Sequence, residues 1–226
     1  MNNEAGVLKN ELINNGTSIR HYIYLGIKRS FDIIVALIGC IALIPLILIV
    51  KLCNIISGDL NPIFYKQKRI GKNGKFIYIY KFRSMVPNAD EILKELLKKS
   101  PERRKEWEEN QKFEHDPRIT KIGNILRKTS LDEVPQMMNV LKGDMSLIGP
   151  RPLIERELDS HNGNHELYES VRPGITGWWA CNGRSATTYE ERLRLEYYYV
   201  QNMSLTLDIK CIIKTVLAVI KKDGAK

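Results

Sequence analysis

The sequence predicts a helix-rich α+β domain that follows an N-terminal helix embedded in a membrane. Three observations predict it: an eighteen-residue apolar run, an alternating stretch typical of a β-hairpin, and amphipathic helical segments. The chain has 226 residues, of which 43% are hydrophobic and 27% are charged. This length suffices for one folded domain plus a membrane segment, and this composition excludes an intrinsically disordered chain.

The apolar run extends over residues 33–50 and reads IIVALIGCIALIPLILIV, without a single charge. As a helix it would be about 27 Å long, close to the hydrocarbon thickness of a bilayer. The run begins some thirty residues into the chain, and no small-residue cleavage site follows it. We therefore expect a membrane-embedded helix and not a signal peptide.

The charges on both flanks of this run favour a helix that returns to the side from which it entered. Lys28 and Arg29 precede the run, and further basic residues follow it: Lys51, Lys66, Lys68, Arg69, Lys72 and Lys75. Positive flanks mark the cytoplasmic side of a membrane helix, and Pro45 removes one backbone hydrogen bond within the run. We expect a re-entrant helix over 26–57 that is broken at Pro45; a helix that simply crosses the bilayer is the alternative.

The rest of the chain divides into a polar segment over 1–25 and one compact cytoplasmic domain over 58–226. Residues 62–82 alternate apolar and basic side chains around two glycines, which predicts a hairpin with Lys81 and Arg83 just past a strand. Helices are predicted over 88–99 and, with a basic amphipathic pattern, over 205–222. The second helix would either lie on an anionic membrane or pack on the core.

The net charge of +9 favours an anionic partner, which could be a nucleic acid, an anionic lipid surface or a phosphorylated substrate. No nucleic-acid-binding motif occurs, and the aromatic residues are not interleaved with the basic clusters, so no nucleic acid is expected as a partner.

Neither a Walker A sequence nor a G-x-G-x-x-G occurs, which counts against the ordinary nucleotide-binding folds. The four cysteines are scattered without a C-x-x-C pair, as expected for buried thiols in a reducing compartment.

The strongest candidates for chemistry are the adjacent carboxylates Asp132 and Glu133, where a helix is expected to begin. Ser130 and Glu133 also match the S-x-x-E capping box, so a purely capping role is the alternative interpretation. A helix N-terminus favours ionised carboxylates, and an ionised aspartate can attack phosphorus. Mg²⁺ binds through one or two carboxylates while it keeps water and phosphate oxygens as its other ligands. An acidic pair of this kind therefore suits phosphate chemistry.

Arginines recur beside glycine and proline in loop-like contexts, at Arg151, Arg172 and Arg184. Such turns hold the backbone in a fixed geometry, and the guanidinium group suits bidentate recognition of phosphate. The acidic pair and these arginines together would serve a pyrophosphate substrate.

Seven motifs carry a resemblance to a known family. They are Lys28-Arg-Ser-Phe-Asp32, Gln67-Lys-Arg69, Tyr80-Lys-Phe-Arg-Ser-Met85, Asp116-Pro-Arg-Ile-Thr120, Leu126-Arg-Lys-Thr-Ser-Leu-Asp-Glu-Val-Pro-Gln136, Leu141-Lys-Gly-Asp-Met-Ser-Leu-Ile-Gly-Pro-Arg-Pro152 and Arg172-Pro-Gly-Ile-Thr-Gly177. In this order, over about residues 26–222, the set resembles the bacterial sugar transferase family, the small monotopic phosphoglycosyl transferases.

The resemblance implies an enzyme that transfers a sugar 1-phosphate from a UDP-sugar to undecaprenyl phosphate and releases UMP. It implies a catalytic domain on the cytoplasmic face of the bacterial inner membrane, and the first membrane-committed step of polysaccharide or glycoconjugate assembly. Asp132 would be the nucleophile that carries a covalent phosphosugar, and Glu133 would assist at a Mg²⁺ site with it. The residues implied in substrate binding are Lys81, Arg83, Arg127, Arg151 and Arg184, with Asp208 in a supporting role.

Two departures from the family pattern are visible. Val134 replaces a leucine, and Gly177-Trp-Trp-Ala-Cys181 replaces a Gly-Trp-Ala-Gln run, which leaves the contacts to the sugar and the base open. We expect galactose or glucose as the sugar. Downstream glycosyltransferases and a second copy of the chain stay open as partners, whereas a non-catalytic scaffold would lack the acidic pair.

Overall fold

The computed structural model describes residues 19–110, 113–157, 165–183 and 187–221. The helices are α1 (Ile19–Ile56), α2 (Ala89–Lys99), α3 (Pro101–Asn110), α4 (Lys121–Lys128), α5 (Met137–Lys142), α6 (His165–Glu169), α7 (Tyr189–Gln201) and α8 (Leu205–Lys221). The strands are β1 (Phe64–Ile70), β2 (Phe76–Phe82), β3 (Ser146–Ile148) and β4 (Gly174–Thr176). The predicted helix-rich α+β class is confirmed for this part of the chain.

The two sheets are small. Strands β1 and β2 pair in one sheet, as the alternation over 62–82 predicts, although Lys81 lies within β2 and only Arg83 lies past its end. Strands β3 and β4 pair in parallel, with Ser146 opposite Gly174 and Ile148 opposite Thr176. The helices predicted over 88–99 and 205–222 are observed as α2 and α8.

Helix α1 has 38 residues and contains Pro45 in its interior. It begins at Ile19, seven residues before the predicted start. Among the described residues it is the one helix long and apolar enough to cross a membrane. The re-entrant bend at Pro45 stays a prediction.

One narrow stripe of α1 is buried. The stripe consists of Asp32, Ala36, Leu43, Val50 and Asn54, each 5% exposed or less. These residues recur every four or seven positions, which keeps them on one side of a helix. Apolar side chains on the other side are at least 36% exposed: Ile33, Ile34, Leu37, Ile38, Ile41, Ile44, Leu48, Ile49, Leu52, Ile55 and Ile56. Helix α1 thus packs against protein along one side and offers an apolar surface on the other.

The described part of the chain divides into two compact units, one formed by the described residues of 1–43, 66–80 and 135–226 and the other by those of 44–65 and 81–134. The first unit contains a core in which Ala36 of α1 packs with Ile77 and Ile79 of β2 and with Val140 and Met145. A Cβ atom at Gly39 would lie only 2.7 Å from Met137 Cγ, so the absence of a side chain at Gly39 permits this close approach.

Polar contacts fix the N-terminal half of α1 within the first unit. The Lys28 ammonium donates to Asp208 Oδ2 at 2.9 Å, and both side chains are at most 10% exposed. The Arg29 guanidinium donates to the carbonyls of Val140 and Leu141, near the end of α5. Lys28 and Arg29, which mark a membrane flank in the sequence, therefore bind protein groups in the fold.

Asp32 and Asp208 complete this anchoring. The Leu147 backbone N–H donates to Asp32 Oδ1 at 3.0 Å. Asp208 also accepts from the hydroxyl of Tyr24 at 2.8 Å and from that of Tyr199 at 2.6 Å. A buried carboxylate needs such partners, and Asp208 has three of them, which connect α1, α7 and α8.

Helix α8 packs on the core along one side, and its contact with an anionic membrane stays a prediction. Leu207 and Cys211 are buried in a cluster with Ile148, Tyr199 and Val200. A second row of apolar side chains on α8 is between 46% and 54% exposed: Leu205, Ile209, Ile213, Val216 and Leu217. One side of α8 therefore packs on the core, and another side keeps an apolar surface.

We predict that Asp208→Asn lowers the free energy of unfolding by about 3 kcal/mol or more, because the buried ammonium of Lys28 would lose its charged partner. Thermal unfolding of the purified full-length chain in detergent measures the change. Lys210→Ala, at an exposed position of the same helix, is the control and should leave the unfolding temperature within about 1 °C of the wild-type value. Equal stability of Asp208→Asn and the wild type would contradict the anchoring role.

Candidate active site

The acidic pair lies in a 3-10 helical segment, Leu131–Gln136, that leads directly into α5. Ser130, just before this segment, has a φ of 56°, in the left-handed region that strains a residue with a side chain. Its carbonyl accepts weakly from the Glu133 backbone N–H at 3.4 Å. The Glu133 carboxylate binds a lysine, so the described contacts give no support to the capping-box interpretation.

That lysine is Lys81, a residue of β2 that lies beside Glu133 in the second unit. Its ammonium donates to Glu133 Oε1 at 2.6 Å, and the side chains of Lys81 and Glu133 are 25% and 40% exposed. A charge-assisted contact of this length fixes both groups while it leaves them open to solvent and ligands. This contact places Lys81 beside the acidic pair, and its substrate-binding role stays a prediction.

The carboxyl group of Asp132 is half-buried, and burial raises its pKa above the usual range. The neighbouring negative charge of Glu133 raises this pKa further, whereas the charges of Lys81 and Arg127 lower it. The two cations thus favour the ionised carboxylate that a nucleophilic role requires.

Arg127 lies in the last turn of α4 and is positioned through Ser84. Its Nε–H donates to Ser84 Oγ at 2.8 Å. The Ser84 carbonyl accepts from the N–H of Thr120, and the Thr120 side chain caps α4 by accepting from the Gly123 N–H at 2.9 Å. Ser84 and Thr120 belong to two of the sequence motifs, but the sequence indicates no role for them. The contacts of Ser84 with Arg127 and with Thr120 join segments more than thirty residues apart.

Gly123 permits the close packing of α4 on the Ser84 segment. A Cβ atom at this position would lie 2.0 Å from the Ser84 carbonyl oxygen, far closer than any van der Waals contact. Only glycine fits here without a backbone shift.

Arg83 has protein partners at three of its nitrogens. Nε donates to the Pro62 carbonyl at 2.7 Å, Nη1 donates to the Met85 carbonyl at 3.0 Å, and Nη2 pairs with Asp59 Oδ2 at 2.7 Å. These contacts tie the end of β2 to the segment before β1. The substrate-binding role of Arg83 stays a prediction, alongside this structural role.

The remaining predicted site residues belong to the first unit or lie outside the described residues. The Arg151 guanidinium lies 5.8 Å from the centroid of the Trp179 ring, a cation–π geometry. Asp208 is the buried anchor described above. Arg184 lies outside the described residues.

The first unit also contains a buried acid that the sequence did not single out. Burial raises the pKa of Glu196 to about 7, although Arg192 and the backbone N–H of Arg151 favour its ionised form. An acid inside α7 with ordinary helical spacing gives no signal in the sequence, because its partners come from distant segments.

The described residues contain no group of three or more His, Cys, Asp or Glu side chains that could hold a metal ion. Asp132 and Glu133 offer two adjacent carboxylates. This donor set fits Mg²⁺, which needs only one or two carboxylates when phosphate oxygens and water supply the other ligands.

The family model described as bacterial sugar transferase matches residues 23–222. The chain belongs to the bacterial sugar transferase family. It shares 45% identity over 201 residues with the UDP-galactose-lipid carrier transferase of Erwinia amylovora, covering 88% of this chain and 41% of that relative. It shares 44% identity over 199 residues with the undecaprenyl-phosphate galactose phosphotransferase of Salmonella typhimurium, with coverages of 88% and 41%.

A family member of similar length is the exopolysaccharide production protein ExoY of Sinorhizobium fredii. The identity is 42% over 198 residues, which cover 88% of this chain and 87% of that relative. By contrast, the chain spans about two-fifths of the length of the Erwinia and Salmonella relatives.

We predict that Gly123→Ala impairs the second unit, because the added methyl group would collide with the Ser84 carbonyl and displace Arg127. The free energy of unfolding should fall by about 2 kcal/mol or more, as thermal unfolding would measure. Gly26→Ala is the matched control, because nothing lies within 4 Å of a Cβ atom at position 26. A Gly123→Ala variant as stable as the Gly26→Ala variant would contradict this packing.

Proposed function

We propose that this chain transfers a sugar 1-phosphate from a UDP-sugar to undecaprenyl phosphate, through a covalent phosphosugar on Asp132. The observation that carries the proposal is the half-buried Asp132 carboxylate beside the Glu133–Lys81 ion pair. Burial and the charge of Glu133 raise the pKa of Asp132, and the charges of Lys81 and Arg127 oppose this rise. A carboxylate that is desolvated yet ionised is a competent nucleophile, and fixed cations stabilise the negative charge of a phosphoryl transition state.

The reaction would proceed in two balanced displacements. In the first, an Asp132 carboxylate oxygen attacks the phosphorus that bears the sugar, and the bond between this phosphorus and the UMP oxygen breaks. UMP then leaves with the electron pair of that bond. In the second, an oxygen of undecaprenyl phosphate attacks the same phosphorus and displaces Asp132, which yields undecaprenyl-diphosphate-sugar and the free carboxylate.

Asp132 and Glu133 are the residues that would hold Mg²⁺. When bound, the ion would neutralise phosphate oxygens of both substrates. Lys81 and Arg127 would contribute positive charge beside these oxygens, and Arg151 and Arg184 are proposed to bind phosphates of the nucleotide.

The contacts of α1 support a re-entrant topology. Lys28 lies before the apolar run, and residues 57–221 follow it without a second membrane helix among the described residues. If α1 crossed the bilayer, Lys28 and the residues that follow Ile56 would lie on opposite sides of the hydrocarbon. Lys28 instead pairs with Asp208, far along the chain. We therefore propose that both ends of α1 lie on the cytoplasmic face of the inner membrane, with the break at Pro45.

Galactose is the sugar that we propose first, because the names of the Erwinia and Salmonella relatives specify it. The name of the Sinorhizobium relative supports a place in exopolysaccharide production. The transfer would be the first membrane-committed step of such a pathway.

We predict that Asp132→Asn abolishes UMP release from UDP-galactose, because the amide is not a nucleophile toward phosphorus. With Mg²⁺ and no lipid acceptor, the wild-type enzyme should release a burst of UMP equal to the enzyme present. The burst should fall at least ~10³-fold in rate in the variant.

The control for this experiment is Asp90→Asn, an exposed acidic position on α2, which should give the wild-type burst. A normal burst from Asp132→Asn would exclude Asp132 as the nucleophile. If the wild-type enzyme released no UMP from UDP-galactose or from related UDP-sugars, the proposed function itself would be wrong.

We also predict that Lys81→Met moves the acid limb of the pH profile to higher pH. Lys81 lowers the pKa of Asp132, so its removal should raise that pKa and require a higher pH to ionise the nucleophile. The measurement is the single-turnover rate of UMP release as a function of pH.

Lys121→Met, an exposed lysine at the start of α4, is the control and should keep the wild-type pH profile. An acid limb that moves to lower pH in Lys81→Met, or does not move, would contradict the proposed charge balance.

A further inference from the structure

The backbone of Arg151 is held from both sides by two buried side chains of the first unit. Its N–H donates to Glu196 Oε2 at 2.9 Å, and its carbonyl accepts a hydrogen bond from the Tyr168 hydroxyl. The same hydroxyl lies 3.2 Å from Glu196 Oε2, so the two side chains also contact each other.

These two side chains come from different helices and are inaccessible to solvent. Tyr168 of α6 is 4% exposed and Glu196 of α7 is 3% exposed, whereas Arg151 itself is exposed. Burial of a carboxyl group and a hydroxyl group is costly unless they are hydrogen-bonded. Both groups form hydrogen bonds with the backbone of the exposed Arg151. The Glu196 carboxylate accepts from its N–H, and the Tyr168 hydroxyl donates to its carbonyl.

The local sequence makes these contacts unusually restrictive. Within Pro150-Arg151-Pro152, only Arg151 has a backbone N–H, and the proline that follows confines Arg151 to extended conformations. The Pro150 carbonyl accepts from the Gly174 N–H at 2.8 Å, and the Pro152 carbonyl accepts from Arg69 Nη1 at 3.3 Å. Every backbone polar group of this tripeptide therefore has a protein partner.

Further charged groups surround Glu196. Arg192 Nε lies 4.0 Å from Glu196 Oε1, and Arg192 Nη1 donates to Glu157 at 3.1 Å. The guanidinium of Arg192 also lies 5.0 Å from the centroid of Trp179, the ring that Arg151 contacts. Glu196 thus has a positive charge near Oε1, while its Oε2 accepts from the Arg151 N–H.

We propose that Tyr168 and Glu196 are positioning residues that hold the Arg151 side chain in place for the sugar nucleotide. This inference rests on the proposed function, in which Arg151 binds a phosphate. A backbone that is already fixed loses no further conformational entropy when the arginine binds an anion, so only the side-chain dihedrals remain to be ordered. The two residues therefore act on the first half-reaction through Arg151 and touch no substrate themselves.

A double-mutant cycle tests the proposal on the full-length enzyme, with kcat/KM for UDP-galactose measured by UMP release. Arg151→Ala should lower kcat/KM about 30-fold, as expected for a lost charge-assisted hydrogen bond. Tyr168→Phe should lower it about fivefold, and Tyr78→Phe, at an exposed tyrosine, should have no effect. In the Arg151→Ala background, Tyr168→Phe should change kcat/KM less than twofold.

Two variants of Glu196 test the same positioning role independently, and they keep the test possible if Tyr168→Phe does not fold. Glu196→Gln keeps an oxygen acceptor for the Arg151 N–H and should retain at least half of the wild-type kcat/KM. Glu196→Met has similar length without an acceptor and should lose about tenfold, but less than twofold when Arg151 is already alanine.

Two outcomes would overturn the positioning role. Equal losses in the wild-type and Arg151→Ala backgrounds would show a purely structural effect. An Arg151→Ala variant with wild-type kcat/KM would show that there is no arginine function to support. Neither outcome affects the burst of UMP that depends on Asp132. The absence of this burst from the wild-type enzyme would instead contradict the proposed function.

Discussion

Under the proposed function, the chemistry depends on keeping one half-buried carboxylate ionised beside another. Asp132 and Glu133 are adjacent in the chain, and both burial and the charge of Glu133 raise the pKa of Asp132. Two cations oppose this effect: Lys81, which pairs with Glu133, and Arg127, which Ser84 orients. The end of β2, the capped start of α4 and the tight approach at Gly123 all serve to bring these cations to the acidic pair.

A second constraint is the attachment of an apolar helix to a polar domain. Lys28, Arg29 and Asp32 lie at the edge of the apolar run, and each binds a group of the first unit. Because these polar groups are satisfied by protein, the domain can contact the side of α1 that also contains Ala36 and Gly39. The opposite side of α1 and the exposed row on α8 remain apolar. Under the proposed function, these surfaces would hold the enzyme in the membrane that contains its lipid acceptor.

Local patterns in the sequence predicted the local structure. Alternation and glycines predicted the hairpin over 62–82, helical periodicity predicted α2 and α8, and an uncharged run predicted the apolar part of α1. The spacing of Ser130 and Glu133 suggested a capping box, but the Glu133 side chain pairs with Lys81, fifty-two residues away along the chain. Spacing rules describe only residues that are close in the chain, so they cannot predict that Lys81 binds the Glu133 carboxylate.

The contacts that position the candidate site were beyond sequence reasoning for the same reason. Asp208 has a supporting role by the family resemblance, and this role stays a prediction. Its buried contacts with Lys28 and Tyr24, some 180 residues away, gave no signal in the sequence. Arg127 and Arg151 were identified as arginines suited to phosphate. The residues that orient them, Ser84, Tyr168 and Glu196, looked like ordinary residues of a strand end and two helices.

Peptide mapping of the covalent intermediate would show whether Asp132 carries the phosphosugar. The full-length enzyme is incubated with UDP-galactose and Mg²⁺ without lipid, quenched, digested with trypsin and analysed by tandem mass spectrometry. We expect the added mass of a hexose phosphate on the peptide over residues 129–142, with fragment ions that assign it to Asp132, and its loss when undecaprenyl phosphate is supplied before the quench. A stoichiometric release of UMP with the adduct on another peptide, or with no adduct at all, would contradict a covalent phosphosugar on Asp132.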